Sequence, residues 1–177
     1  LSMRMSGLSI TEIVVVLAIS AILISVAVPS YRALTISNQL SSTINLFVAT
    51  LALARTQAVN KNQRVVICAS SNGQQCNTEW YEKGWIVFVD ADYSNSREGD
   101  EETLIWVQEA LPAKFSLRAT AAYKSVVAMS PTGRLARGFS GNITLCSERE
   151  PATARKIILI PSGRIRVVSS AIKSCNL

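Results

Sequence analysis

The sequence predicts an α+β fold in which one long N-terminal helix packs on antiparallel β-sheets. Three observations lead there. An apolar run at residues 8–28 is followed, past Pro29, by apolar positions spaced three, four and seven apart up to residue 62. From residue 63 the pattern changes to short runs rich in β-branched and aromatic residues. Turn-forming sequences separate those runs, and no helical period returns.

The first element is "LSITEIVVVLAISAILISVAV", residues 8–28, whose single charge is Glu12. It is long enough to span a bilayer as a helix. Pro29 then kinks or ends it. The stretch differs from a secretory signal, because only Arg4 charges its front and no A-x-A site follows; cleavage is expected ahead of the run, at Gly7–Leu8. The start at Leu1 rather than Met suggests an incomplete leader. After Pro29, Leu40, Ile44, Phe47, Val48, Leu51, Ala58 and Val59 form a stripe that faces a core. The helix ends near Asn60–Asn62, with Lys61 well placed in the last turn. The organisation is thus a leader at 1–7, a transmembrane helix at 8–28, an amphipathic helix at 29–62 and a β-rich domain at 63–177.

Strands are expected at 64–70, 84–91, 102–108, 123–130, 142–146, 155–160 and 164–168. The connecting sequences "SNGQQC", "SPTG", "SG" and "PSG" carry turn chemistry.

Composition limits the function. The chain of 177 residues has no histidine, which removes the commonest general base and the usual Ser-His and Cys-His nucleophile pairs. An enzyme is not expected, nor a cofactor or a metal. The net charge of +6 is uneven. Residues 1–78 carry five bases and one acid, residues 79–109 two bases and nine acids, and residues 110–177 eleven bases and two acids. The regional charges are therefore +4, −7 and +9, which points to an anionic partner at one end, or to a surface kept soluble by charge. Cys68, Cys76, Cys146 and Cys175 allow three disulfide pairings. The pairing Cys68–Cys76 with Cys146–Cys175 closes two local loops and is favoured; a four-cysteine zinc site is the runner-up, without the paired CxxC spacing.

The segment "GLSITEIVVVLAISAIL" with the following "VPSY" resembles the class III signal of type IV pilins and type II secretion pseudopilins. The resemblance implies a prepilin peptidase that cuts after Gly7 and methylates Leu8, and a helix that rests in the inner membrane before it packs into a filament of pilin subunits. Thr11 departs mildly from the usual aliphatic residue. Glu12 matches the family's glutamate, and a carboxylate in hydrocarbon needs a partner. In the pilin picture that partner is a neighbouring subunit's N-terminal amine. The stretch "ARTQAVN", a Cys strand, a second Cys and "GWIVFVD" narrow the likeness to the GspH/FimT/FimU branch. A periplasmic domain on a single-pass anchor, displayed at the surface after assembly, follows from the resemblance.

Near the C-terminus stands "PSGRIRVV". Alternation along a strand puts Arg164 and Arg166 on one face, about 6.7 Å apart. Two axial phosphate steps of a DNA strand, about 3.4 Å each, cover the same length. Each guanidinium offers a bidentate fork to a phosphate. The G-R-x-R pattern of Gly163, Arg164 and Arg166 resembles the DNA-binding motif of the FimT members, which are linked to DNA uptake in natural transformation. The competing expectations are arginines that only guard an exposed edge strand, and a subunit of the FimU or GspH kind without DNA binding. Arg134 and Arg137, in "SPTGRLARG", extend the footprint if that turn lies beside the first, and Arg155, Lys156 and Lys173 are auxiliary candidates.

The acidic stretch at 90–102 places Asp90, Asp92, Ser94, Glu98 and Glu101 at EF-hand-like offsets, but Asn95 stands where that loop needs glycine and no helices flank it. A solvated loop, away from the arginine hairpin, is expected instead of a calcium site. Trp85 and Trp106 are expected in the core, and Trp80 is left open between core and surface.

Overall fold

The computed structural model describes residues 9–97, 102–147 and 154–170. Gly7, Leu8, Glu98, Glu101, Lys173 and Cys175 lie outside the described residues.

Helix α1 runs from Ile10 to Lys61 and passes through Pro29 without a break. The chain divides into two compact units, residues 1–38 and 39–177. In the first, Val14, Leu17, Ile22 and Val26 are all exposed, and the helix is long and apolar enough to cross a membrane. Ser25, Ser30 and Thr35 each donate a hydroxyl hydrogen bond back to a helix carbonyl, so their polar groups are met within the helix. Glu12 sits exposed in the first turn.

In the second unit α1 buries Leu40, Ile44, Phe47, Leu51, Ala54 and Ala58. Val59 leaves the expected stripe and is half exposed, because one residue past Ala58 turns the side chain about 100° round the helix. Asn62, with φ of 50°, ends the helix in the left-handed region.

Eight strands follow: β1 (Val65–Ala69), β2 (Trp85–Val89), β3 (Leu104–Gln108), β4 (Phe115–Ala119), β5 (Val126–Met129), β6 (Gly141–Ser147), β7 (Ala154–Leu159) and β8 (Ile165–Ser170). They form two four-stranded sheets, in the orders β3-β2-β1-β5 and β4-β6-β7-β8, with every pairing antiparallel. Seven of the strands lie where the sequence places them. β4 does not figure among the expected runs: "FSLRA" alternates correctly, but it is short and its flanks are rich in alanine.

The core lies between α1 and the inner faces of both sheets. Phe47 meets Tyr81 and Trp85 edge-on at 5.2 and 5.0 Å. Trp85 donates its indole N–H to Thr50 at 3.3 Å, and Tyr81 its hydroxyl to the Tyr123 carbonyl. β1 and β2 are buried on both faces, which is why "VVICA" and "WIVFV" read as continuous apolar runs. A smaller cluster of Val66, Cys68, Ile86, Phe88 and Ala128 fills the outer face of that sheet. Cys68 is bonded to Cys76 there. Cys146 is also disulfide-bonded, while its expected partner Cys175 lies outside the described residues.

Two tryptophans differ from expectation or settle it. Trp106, expected in the core, is 44% exposed, because β3 is an edge strand. Trp80 is half-buried, with the Arg118 guanidinium 4.7 Å and the Lys124 ammonium 5.2 Å from its ring centre.

Candidate nucleic-acid interface

The two basic turns of the sequence are structural twins. In "SPTGR" the Gly133 N–H donates to the Ser130 carbonyl at 2.8 Å, and the Ser130 N–H to the Arg134 carbonyl at 2.8 Å. In "IPSGR" the Gly163 N–H donates to the Ile160 carbonyl at 2.8 Å, and the Ile160 N–H to the Arg164 carbonyl at 3.1 Å. Proline presets the turn, and glycine at φ of +72° and +79° closes it, as in a type I turn followed by a left-handed residue.

The twins touch. A Cβ built on Gly163 would lie 2.1 Å from the Gly133 carbonyl oxygen, and one on Gly133 would lie 3.2 Å from the Val59 side chain. The Leu135 N–H donates to the Pro161 carbonyl at 3.1 Å. Arg55, on α1, donates from Nη1 to the Gly163 carbonyl at 3.2 Å. Three elements thus fix the tip: α1, the end of β5 in one sheet and the β7–β8 hairpin in the other. The turn at 130–134 does lie beside the first, which was the condition for a shared footprint.

Arg164 and Arg166 are exposed, with the half-buried Ile165 between them. Arg166 pairs across to Ile158, and Ile165 to the core residue Leu159, so the arginines take the outer face. Among the described residues neither guanidinium has a hydrogen-bond or ion-pair partner. Arg134 and Arg137 are exposed as well. The auxiliary pair separates. Lys156 shares the outer face with Arg166, while the Arg155 guanidinium is held by the Ser169 and Ser41 hydroxyls at 2.8 and 3.4 Å. Arg118, two strands away on the outer face, is taken up by Glu82 at 2.9 Å. Beside Arg164 an open groove of about 610 Å³ has Ala52, Val59 and Ile165 along it, with Arg55 and Asn60. Sequence reasoning missed Arg55 as part of the site: it stood in "ARTQAVN" only as a mark of family likeness, and nothing in that stretch shows that it reaches the Gly163 turn.

The acidic stretch lies closer than expected. Val65 pairs with both Val89 and Met129, so the chain leaves the same end of that sheet at Asp90 and at Ser130. The two exits are two strand spacings apart, about 9.6 Å. The stretch is also not simply solvated. Asp90 is fully buried and ion-paired with Arg64, Nε to Oδ2 at 3.1 Å. Burial pushes its carboxyl up, against the pull of Arg64. Burial and the nearby Asp92 and Asp90 push Glu102 up, whereas hydrogen bonds from Ser94 hold Asp92 down. One oxygen each of Asp90, Asp92 and Glu102 lies within 4.8 Å of the others. Among the described residues Glu102 completes this cluster, whereas Glu98 and Glu101 of the EF-hand-like offsets lie outside them.

A family profile described as "Type II transport protein GspH" matches residues 43–163. The match ends at the glycine just before Arg164. Among solved structures, the chain is similar to the type IV minor pilin FimU of Pseudomonas aeruginosa PAO1. The TM-score is 0.62 at 19% identity, over 80% of this chain and 98% of that one. A second crystal form of FimU gives 0.59 at 18% identity, over 77% and 100%. The minor pseudopilin EpsH from the Type 2 Secretion System of Vibrio cholerae gives 0.50 at 11% identity, over 74% and 97%. The long helix with two antiparallel sheets is common to them. No curated protein matches the sequence.

Proposed function

This chain belongs to the GspH family, minor pilins and pseudopilins of the GspH and FimU type, and from that premise we propose that its globular unit binds DNA. The observation that carries the reading is the exposed pair Arg164 and Arg166, unpartnered among the described residues and set on a turn locked by Gly133 and Arg55. A locked turn loses little entropy when it takes a ligand. Guanidinium groups in a row on an edge strand suit a row of phosphates. Arg134 and Arg137 add charge from the adjoining turn, and Gly163 holds the geometry; Lys173 belongs to the same reading. The contacts are with the phosphate backbone and so carry little sequence preference.

The full reading is a minor type IV pilin that takes part in DNA uptake during natural transformation. It is held in the inner membrane by the helix, with its domain in the periplasm, and reaches the pilus surface with other pilin subunits. Processing by a prepilin peptidase at Gly7–Leu8 and a role for Glu12 in assembly belong to it. The test is a gel shift with a short DNA at two salt concentrations, using the full chain in detergent micelles. The expected result is retention that weakens with salt, and its loss in the doubly substituted Arg164→Gln, Arg166→Gln chain with the fold intact. A double variant that retains DNA as the wild type does refutes the reading and leaves a filament subunit without nucleic acid.

A further inference from the structure

Phe139 is 51% exposed, unlike the other three phenylalanines of the chain, which are buried. It stands in the loop that continues from the Gly133 turn, two residues beyond the exposed Arg137. The loop is well fixed. The Gly138 N–H donates to the Leu135 carbonyl at 3.2 Å, which closes a turn. The Phe139 carbonyl accepts the Tyr123 hydroxyl at 2.6 Å. The two rings lie 6.2 Å apart, tilted by 57°. Tyr123 is itself buried and presses on Gly141, where a Cβ would come within 2.1 Å of its ring. Phe139 is therefore held on a buried partner with much of its surface left to solvent.

Its place relative to the arginines follows from the chain. Leu135 is bonded to Pro161 of the twin turn. A closed four-residue turn spans less than about 7 Å between its first and last Cα atoms. One further residue adds about 3.8 Å, so the Phe139 Cα is within about 11 Å of that of Leu135. An aromatic face thus stands close to a cluster of exposed arginines. Arginines alone grip phosphates of either single or double strands. A duplex hides its base faces in the stack, whereas a single strand offers them to an aromatic ring.

We propose that Phe139 is a base-stacking platform and that this tip holds unpaired DNA in preference to duplex; the inference rests on the DNA reading above. The test is fluorescence anisotropy on the full chain in detergent micelles, with labelled oligothymidylate alone or annealed to oligoadenylate. The wild type is expected to bind the single strand more tightly. Phe139→Leu, which keeps apolar bulk but no aromatic face, is expected to weaken single-strand binding about tenfold and duplex binding less than about twofold. Phe139→Tyr is expected to bind as the wild type. A Phe139→Leu chain that holds the single strand normally, or that loses both forms alike, overturns the stacking role, as does a wild type that prefers duplex. A contact with a neighbouring subunit would leave DNA binding unmoved by Phe139→Leu. If the wild type binds neither form, the DNA reading itself fails; if it binds both and only the Phe139 expectation fails, the arginine site stands.

Discussion

The Gly133 carbonyl oxygen fills the space that a side chain on Gly163 would need, 2.1 Å from the position of its Cβ. Backbone meets backbone there, so neither turn can yield by a change of rotamer.

Gly163→Ala is therefore expected to destabilise the protein by about 2–5 kcal/mol, from a forced left-handed conformation and an unrelieved clash. Thermal unfolding should show a Tm lower by roughly 5–20 °C. Gly138→Ala is the control. Its φ is +72°, but nothing lies within 4 Å of the added Cβ, so only about 1–2 kcal/mol of backbone strain applies.

Arg164 and Arg166 each predict a step in salt dependence. For duplex DNA the slope of log affinity against log salt is about −0.9 per phosphate neutralised. Each Arg→Gln change is expected to make it shallower by about that amount, and the double change by about twice as much. Affinity measured at four or five salt concentrations gives the answer, and an unchanged slope places these arginines off the DNA.

Arg55 acts through the turns. Arg55→Leu keeps the apolar stem but loses the hydrogen bond to the Gly163 carbonyl, a net loss of about 1 kcal/mol. Amide hydrogen exchange at Gly133 and Gly163 is expected to quicken about fivefold, with DNA affinity lowered severalfold although Arg164 and Arg166 are intact. Unaltered exchange at both glycines would mean that the helix does not brace the tip.

Glu102 sets a pH dependence. Its folded pKa is raised, chiefly by burial, so the native state takes up a proton more readily than the unfolded chain. Its effect on stability is most favourable below the ordinary glutamate value of about 4.3 and is lost as pH rises through the raised folded value. Glu102→Gln should flatten that decline in melts taken from pH 4 to 7. Asp92, with a lowered pKa, works in the opposite sense and loses its contribution as pH falls. A Glu102→Gln curve parallel to the wild type would rule out Glu102 as the source.

The fold was readable because its signals are periodic. Leu40, Ile44, Phe47 and Leu51 mark one helix face, and proline-glycine turns punctuate strands whose sides differ in polarity. β4 escaped because five residues between alanine-rich flanks give too little alternation to stand out. Trp106 misled because a large apolar side chain suggests burial, whereas edge position is a property of strand order, which the sequence does not display. The arginine turns were visible as motifs, but their contact was not. Gly133 and Gly163 are thirty residues apart, and only the pairing of two different sheets brings them together. The same holds for the acidic neighbour at Asp90, which shares an end of the sheet with Ser130 through Val65.

The bonds from Leu135 to Pro161 and from Arg55 to Gly163 have a mechanical consequence. A polymer seized at Arg164 and drawn along its length would pull on the hairpin tip. The tension divides between a helix and the ends of two sheets, because these attachments act in parallel and not one after another. Single guanidinium grips on phosphate, exposed to water and screened by salt, would give way first. On the proposed DNA reading, the subunit would slip along such a polymer under load before its hairpins peel.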